Sequence, residues 1–118
     1  MKHEMSAGMK ACIDACEKCH DTCLQTLSQH CLEVGGKHVE PKHVRLMLDC
    51  VSICHTCEDF MLRGGIHHAD ICAACAHICE ACAKSCEEVG EMDDCVKACR
   101  SCAATCQEMA KTADLSRH

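Results

Sequence analysis

Every third or fourth residue in one stretch of this chain is a cysteine. The stretch 71–86 reads ICAACAHICEACAKSC, and its five cysteines follow alternating steps of three and four: Cys72, Cys75, Cys79, Cys82 and Cys86. Side chains at that spacing lie on one face of an α-helix, and a core-facing helix normally carries Leu, Ile or Val there. Thiols therefore occupy the positions that usually form a hydrophobic core.

Three further rows repeat this spacing along the chain. The first row is Met5, Met9, Cys12, Cys16, Cys19 and Cys23, the second is His43, Met47, Cys50, Cys54, Cys57 and Met61, and the fourth is Met92, Cys95, Cys99, Cys102, Cys106 and Met109. Thr26 and His30 continue the first row in the same register, which leaves Cys31 one residue beside it. His68 extends the third row by four residues toward its start. Cysteine can pass for a small apolar residue, but four such rows indicate a function that requires sulfur.

The rows predict four amphipathic helices over about 2–34, 41–62, 67–89 and 92–113. Gly35-Gly36, Gly64-Gly65 and Gly90 end the first three, and Pro41 suits the first turn of the second. Short connections make consecutive helices antiparallel neighbours. The fold class is therefore all-α, a single domain of residues 1–118 that forms an antiparallel up-down-up-down four-helix bundle with a cysteine-lined core.

This topology sorts the remaining soft ligands between the two ends of the bundle. One end collects Met5, Met9, Met61, His68 and Met109. Thioether and imidazole donors hold a soft metal ion more weakly than thiolates do, so these residues suit a mouth that receives metal and passes it inward. The opposite end collects His30, Cys31, His43, Met47, Cys86 and Met92, and is a candidate second port.

Composition excludes several classes of protein. With 17 cysteines in 118 residues, a secreted disulfide scaffold is the first alternative, but the count is odd, the thiols follow helical periodicity, and no signal peptide is visible. No apolar run approaches the length of roughly 18 residues that a membrane helix needs. The net charge of −6 and the absence of a basic block argue against nucleic acid as a partner. We therefore expect a cytoplasmic protein with reduced thiols.

Among thiophilic metals, Cu(I) fits continuous rows best. A zinc site typically has four ligands from two short knuckles, and ferredoxin clusters use loop motifs that end in Cys-Pro, which this chain lacks. One Cu⁺ per thiolate leaves a buried core close to neutral, whereas one Zn²⁺ per thiolate overcharges it. The sequence thus predicts multiple Cu(I) ions per chain, near the cysteine count, and no catalysis. A structural zinc or Fe–S bundle and a thiol redox protein remain alternatives.

The CxxxCxxCxxxC-type rows on four helices resemble those of the bacterial copper storage proteins, in particular their cytosolic branch, from Met5 to Met109. The resemblance implies a bundle that is folded before metal arrives and that assembles as a homotetramer. It also implies that the core ligands are Cys12, Cys16, Cys19, Cys23, Cys50, Cys54, Cys57, Cys72, Cys75, Cys79, Cys82, Cys86, Cys95, Cys99, Cys102 and Cys106. Cys31 is a further candidate ligand.

The second predicted helix carries apolar residues on both sides of its row. Val44, Leu48 and Val51 flank one side, and Leu46, Ile53 and Phe60 flank the other. These surfaces are either seams inside the bundle or part of a homo-oligomer interface. The sequence leaves open which partner delivers or removes copper, and whether stored copper is supplied to enzymes or detoxified.

Overall fold

A computed structural model describes residues 5–116, and the side chains of residues 5–111. Four long helices carry the four sulfur rows: α1 (Ala7–Thr26), α2 (Pro41–Leu62), α3 (His68–Val89) and α4 (Asp93–Ser116). Helix α1 packs against α2 and α4, and α3 packs against the same two helices, so that the four form a closed ring. The predicted fold class, an antiparallel four-helix bundle, is confirmed. Among the described residues no strand is present, and no helix is long and apolar enough to span a bilayer.

The start of α1 is set by a side-chain cap. Ser6 has extended backbone angles, and its Oγ accepts a hydrogen bond from the Met9 backbone N–H at 3.1 Å. Serine at this position satisfies one of the four N–H groups that a helix start leaves unpaired. The spacing of the first row predicts a start near Lys2. Residues 2–4 lie outside the described residues, while Met5 and Ser6 precede the helix rather than belong to it.

The end of the first helical segment departs from the α-helical register. After Thr26 the backbone forms a π-helix over Leu27–Cys31 and then one α-helical turn over Leu32–Val34. A π-helical turn accommodates one extra residue, which shifts the following side chains around the helix. Leu27 and Cys31 are consequently buried, whereas Thr26 and His30 are only half-buried. The expectation that Thr26 and His30 continue the row, with Cys31 beside it, is therefore wrong.

The connection to α2 runs through Gly35 and a 3₁₀ turn, Gly36–Val39. Gly35 has φ of 73°, a left-handed conformation that glycine adopts without steric cost, so the chain reverses direction there. Pro41 then occupies the first turn of α2, where its missing N–H has no helical partner to lose. The turn also buries His38, which brings an imidazole to the end of the bundle where the first helical segment stops and α2 begins.

The core between the helices consists almost entirely of sulfur-containing side chains. All 17 cysteines are fully buried. Four methionines lie at or near the ends of the core and are also buried: Met47, Met61, Met92 and Met109. Small residues, among them Ala83 and Ala103, are buried beside the thiol rows of α3 and α4, which lets these two helices approach closely. The bundle is thus a tube whose interior is lined with thiols.

Candidate metal centre

The four cysteine rows meet along the axis of the bundle. Sulfur pairs join neighbouring helices, for example Cys12 to Cys106 at 3.5 Å and Cys57 to Cys72 at 3.5 Å, and also join the diagonal pair α2 and α4 through Cys54 and Cys102 at 3.8 Å. All of the cysteines except Cys31, Cys82, Cys86 and Cys95 belong to one connected chain of sulfurs, whose successive members lie 3.5–4.0 Å apart. Such separations are far longer than a disulfide bond, and every cysteine is a free thiol.

The sulfurs form a ladder of overlapping groups rather than separate sites. In each group the sulfurs lie within 4.8 Å of one another. Five of these groups, in order along the axis, are Cys19/Cys23/Cys50/Cys99, Cys19/Cys50/Cys54/Cys79, Cys54/Cys75/Cys79/Cys102, Cys16/Cys75/Cys102/Cys106 and Cys12/Cys72/Cys106. Each group of four shares two members with the next group of four. The interior therefore offers a continuous series of potential coordination sites.

The spacing of these sulfurs suits bent coordination of a d¹⁰ metal ion. With metal–sulfur bonds of about 2.3 Å, two sulfurs 3.5–4.0 Å apart subtend an angle of about 100–120° at the ion. Linear coordination by two sulfurs would need a separation of about 4.6 Å. Without a large movement of the helices, these separations therefore favour bent over linear coordination of an ion between two sulfurs.

The same short contacts shift the pKa values of neighbouring thiols in opposite directions. Hydrogen bonding with Cys106 and Cys16 lowers the pKa of Cys102 to about 7. The pKa of Cys106 is raised instead, chiefly because of its hydrogen bonds with Cys102 and Cys12 and also because burial disfavours its anion. A thiolate at one position is thus stabilised by neighbours that keep their protons. Removing all of the protons from this core requires cations in their place.

The end of the tube near the start of α1 carries the predicted methionine mouth. Met61 Sδ lies 3.9 Å from Cys72 Sγ, and Met109 is buried beside Gly8. His68 is half-buried, and its Nδ1 lies 3.0 Å from the Gly65 carbonyl oxygen. That oxygen can only accept, so Nδ1 carries the proton and Nε2 keeps its lone pair for a metal. Met9 is half-buried, whereas Met5 is 47% exposed.

The opposite end contains a donor that the sequence analysis missed. Cys31 Sγ lies 3.8 Å from His38 Nδ1 and 4.0 Å from Met92 Sδ. The helical spacing does not predict His38 as a donor, because His38 follows the Gly35-Gly36 break and belongs to none of the four rows. His43 and Met47, which the rows did predict, are both buried near this end.

Comparisons with known proteins agree with this architecture. A sequence profile of the family described as copper storage protein, Csp, matches residues 3–111. This chain belongs to the copper storage protein family. Among solved structures, the Nmul_A1745 protein of Nitrosospira multiformis is 51% identical, with a TM-score of 0.88, over 89% of this chain and 96% of that one.

Two further relatives are themselves copper storage proteins. Cu(I)-bound copper storage protein BsCsp3 is 35% identical, with a TM-score of 0.81, over 87% of this chain and 98% of that one. Apo-Csp3 from Bacillus subtilis is 36% identical, with a TM-score of 0.71, over 86% and 97%. The search of curated protein sequences found no significant match. Because these members of the family align over nearly their whole length, the resemblance seen in the cysteine rows is confirmed.

His43 of this copper storage protein should make the metal-free bundle sensitive to acid. Burial lowers its pKa, and the titratable groups around it are Cys82, His38, Cys95 and Glu40. The imidazole of His43 binds a proton more readily in the unfolded chain than in the folded bundle. The stability contributed by neutral His43 is therefore complete above the ordinary histidine pKa of about 6.5 and is lost as the pH falls. Metal-free protein should therefore melt at a lower temperature at about pH 5.5 than at about pH 7.5.

The variant His43→Gln isolates this contribution from the other histidines. It should lose less stability than the wild type between the two pH values, as measured by thermal melts followed by circular dichroism. The matched control is His55→Gln, because His55 is exposed on the outer surface of α2. The control should keep the pH dependence of the wild type. An equal loss in wild type and His43→Gln would contradict the prediction.

Proposed function

We propose that this protein stores many Cu(I) ions in the thiol-lined core of its four-helix bundle and that it catalyses no reaction. The observation that carries the proposal is the ladder of overlapping sulfur groups along the bundle axis, in a chain that belongs to the copper storage protein family. A relative covering most of the chain is a Cu(I)-bound copper storage protein. Soft thiolates are also the donors that Cu(I) prefers.

Charge balance sets the expected capacity. Each thiolate formed in the buried core is an anion that needs a compensating cation. One Cu⁺ for each proton released keeps the core neutral at every stage of filling, whereas one Zn²⁺ per thiolate would leave a large positive charge in a medium of low dielectric constant. The capacity should therefore lie near the 17 cysteines of the chain.

Each group of ligands has a role in this proposal. The cysteines of the four rows and Cys31 are the thiolate ligands of the store. Four side chains receive ions at the mouth: Met9, Met61, Met109 and His68. Met61 connects the mouth to the core through its contact with Cys72. Met5 lies farther out and is exposed, so that it meets ions before the others do.

The alternatives fit the structure less well. A zinc or Fe–S bundle would use one or two groups of four sulfurs, whereas here neighbouring groups share members along the whole axis. A thiol redox enzyme needs an accessible thiolate near positive charge, and every cysteine of this chain is fully buried. These features favour storage over both alternatives.

The proposal includes a cytoplasmic location and assembly as a homotetramer. Copper(I) stays bound to thiolates only where the thiols remain reduced, as they do in the cytosol. Large apolar side chains stay exposed on α1 and α2: Leu24 at 43%, and Leu48 and Leu62 at 49% and 56%. Contact with further copies of this chain would remove this apolar surface from water.

An anaerobic titration of the fully reduced protein with Cu(I), in competition with a strong Cu(I) chelator, tests the storage function. Saturation should occur near or somewhat above 17 ions per chain, with the helical circular dichroism signal unchanged. The helical signal should persist because the thiols already lie within bonding reach of one another in the metal-free fold. Saturation at about one to four ions would contradict storage and would point to a structural zinc or Fe–S site instead.

A further inference from the structure

Two histidines lie side by side on the outer surface where α1 packs against α2. The ring centroids of His20 on α1 and His55 on α2 are 5.4 Å apart, and the two ring planes are inclined by 40°. The His20 side chain is 27% exposed and the His55 side chain 61% exposed, so both rings lie outside the sulfur core and within reach of solvent. The pair therefore belongs to a part of the molecule that the copper ladder does not use.

The separation of the two rings matches that of two imidazole ligands of one metal ion. A zinc–nitrogen bond is about 2.0–2.1 Å long, and the ring centroid lies about 1.1 Å beyond the nitrogen, so each centroid would be about 3.2 Å from the ion. When one nitrogen of each ring points at the same ion, centroids 5.4 Å apart subtend an angle of about 115° there. This angle is close to the tetrahedral value of about 109° that zinc sites adopt.

The carboxylate of Asp21 determines which nitrogen of His20 is available. Asp21 Oδ1 lies 2.8 Å from His20 Nδ1. An ionised carboxylate can only accept a hydrogen bond, so Nδ1 carries the proton and Nε2 keeps its lone pair. Histidines that bind metal are typically held in this way, because the carboxylate orients the ring and raises the basicity of the free nitrogen. His20 is thus prepared to bind an ion through Nε2.

Asp59 places a carboxylate beside the other ring. Its Oδ2 lies 3.7 Å from His55 Nε2, one turn farther along α2. An N–H···O hydrogen bond seldom exceeds about 3.2 Å, so this contact is too long to be one. With bonds of about 2.05 Å to nitrogen and about 2.1 Å to oxygen, an ion that bound both atoms would hold them at an angle of about 125°. The two side chains are therefore spaced as ligands of one ion.

Negative charge accumulates around the two rings. Burial raises the pKa of Glu58, a half-buried residue of α2. Three further carboxylates lie close enough to raise that pKa further, while His55 lowers it: Glu17, Asp59 and Asp21. Carboxylates of both helices thus repel one another at this surface, and a divalent cation held between the helices would relieve the repulsion.

We propose that His20, His55 and Asp59 form a surface site for one Zn²⁺ ion, with Asp21 holding the His20 ring and water at the fourth position. Imidazole and carboxylate are harder donors than thiolate, so this site takes a divalent ion and leaves Cu(I) to the sulfur core. The bound ion joins α1 to α2 from outside. The site does not rest on the storage function, because none of its donors is a cysteine.

Imidazole NMR on the whole protein tests the site. Protein with ¹⁵N-labelled histidine is first loaded with Cu(I), so that copper occupies the thiols that would otherwise compete for zinc, and is then titrated with Zn²⁺. The imidazole resonances of His20 and His55 should shift together and saturate at one Zn²⁺ per chain, while the copper content stays constant. His77, which is exposed on α3, is the internal reference and should shift less.

Three variants test the separate roles, and a fourth is the matched control. Asp21→Asn keeps the shape of the side chain but removes its charge, and it should weaken zinc binding by about 10-fold. His20→Gln and His55→Gln each remove a ligand and should weaken it by more than about 100-fold, beyond the effect of losing a residue that only holds a ligand. His77→Gln should bind zinc as the wild type does. All four variants should keep the copper capacity of the wild type.

The outcomes distinguish this site from the storage function. If copper fills the core while zinc shifts neither imidazole, the zinc site is wrong and storage stands. If zinc binds His20→Gln and His55→Gln as tightly as the wild type, or binds only by displacing copper, the site is also wrong. If the core takes up only a few copper ions, storage fails, and a joint shift of the two imidazoles by zinc still supports the site.

Discussion

Filling the core with Cu(I) should raise the unfolding midpoint of the bundle by at least about 20 °C. A ligand that binds only the folded state adds about 2.7 kcal/mol per site when its free concentration is 100 times its dissociation constant. For a domain of this size, each kcal/mol raises the midpoint by about 4 °C or more. Because the sulfur ladder offers many sites, the separate contributions accumulate. Thermal melts of reduced metal-free and loaded protein, followed by circular dichroism without oxygen, measure the effect.

The control for this effect is the removal of metal from the loaded protein. An excess of Cu(I) chelator should return the midpoint to that of the metal-free protein, which shows that binding rather than oxidation of the thiols stabilises the fold. A midpoint that stays the same or falls on loading would mean that copper binds the unfolded chain as well as it binds the bundle. That result would contradict a store that is folded before the metal arrives.

Replacing one complete group of sulfurs should reduce the copper capacity in proportion. We expect Cys54→Ala, Cys75→Ala, Cys79→Ala and Cys102→Ala, combined in one variant, to lower saturation by about four ions, because each thiolate balances one Cu⁺. The group lies in the middle of the ladder and shares members with both neighbouring groups. Its loss divides the sulfurs into two separate clusters. The same competitive titration measures both capacity and the apparent affinity of what remains.

Ile13→Val is the matched control for this variant. Ile13 is buried in the same core, and the substitution shortens an apolar side chain while it removes no sulfur donor. Its capacity should equal that of the wild type. If the quadruple variant is helical and still binds as many ions as the wild type, one Cu⁺ per thiolate is the wrong rule, and the metal is held by other donors.

The helical spacing of the cysteines was sufficient to predict the fold class, because alternating steps of three and four have only one regular interpretation. The same rule failed after Cys23. It placed Thr26 and His30 inside, whereas the π-helix buries Leu27 and Cys31. The residue types contained the missing signal, since Leu and Cys favour burial more than Thr and His do. Counting helical steps of three and four alone ignores this difference in burial preference.

The contacts at the two ends of the bundle were less accessible to sequence reasoning. The sequence groups Met5 with the other mouth residues, but Met5 precedes the helix and is 47% exposed. His38 lies in a turn whose path depends on the left-handed backbone of Gly35, so no periodic pattern points to it. Periodicity specifies which face a helical residue occupies, but it does not specify how a turn folds over the end of a bundle.

The sharing of sulfurs between adjoining groups also governs the order in which ions move. An ion that leaves one group of four already holds two of the ligands of the next, for example Cys54 and Cys79. It can therefore advance by exchanging one ligand at a time without becoming bare. With one working mouth, an ion bound in the middle of the ladder can leave only through the groups nearer that mouth. With exchange at both ends, it can leave in either direction.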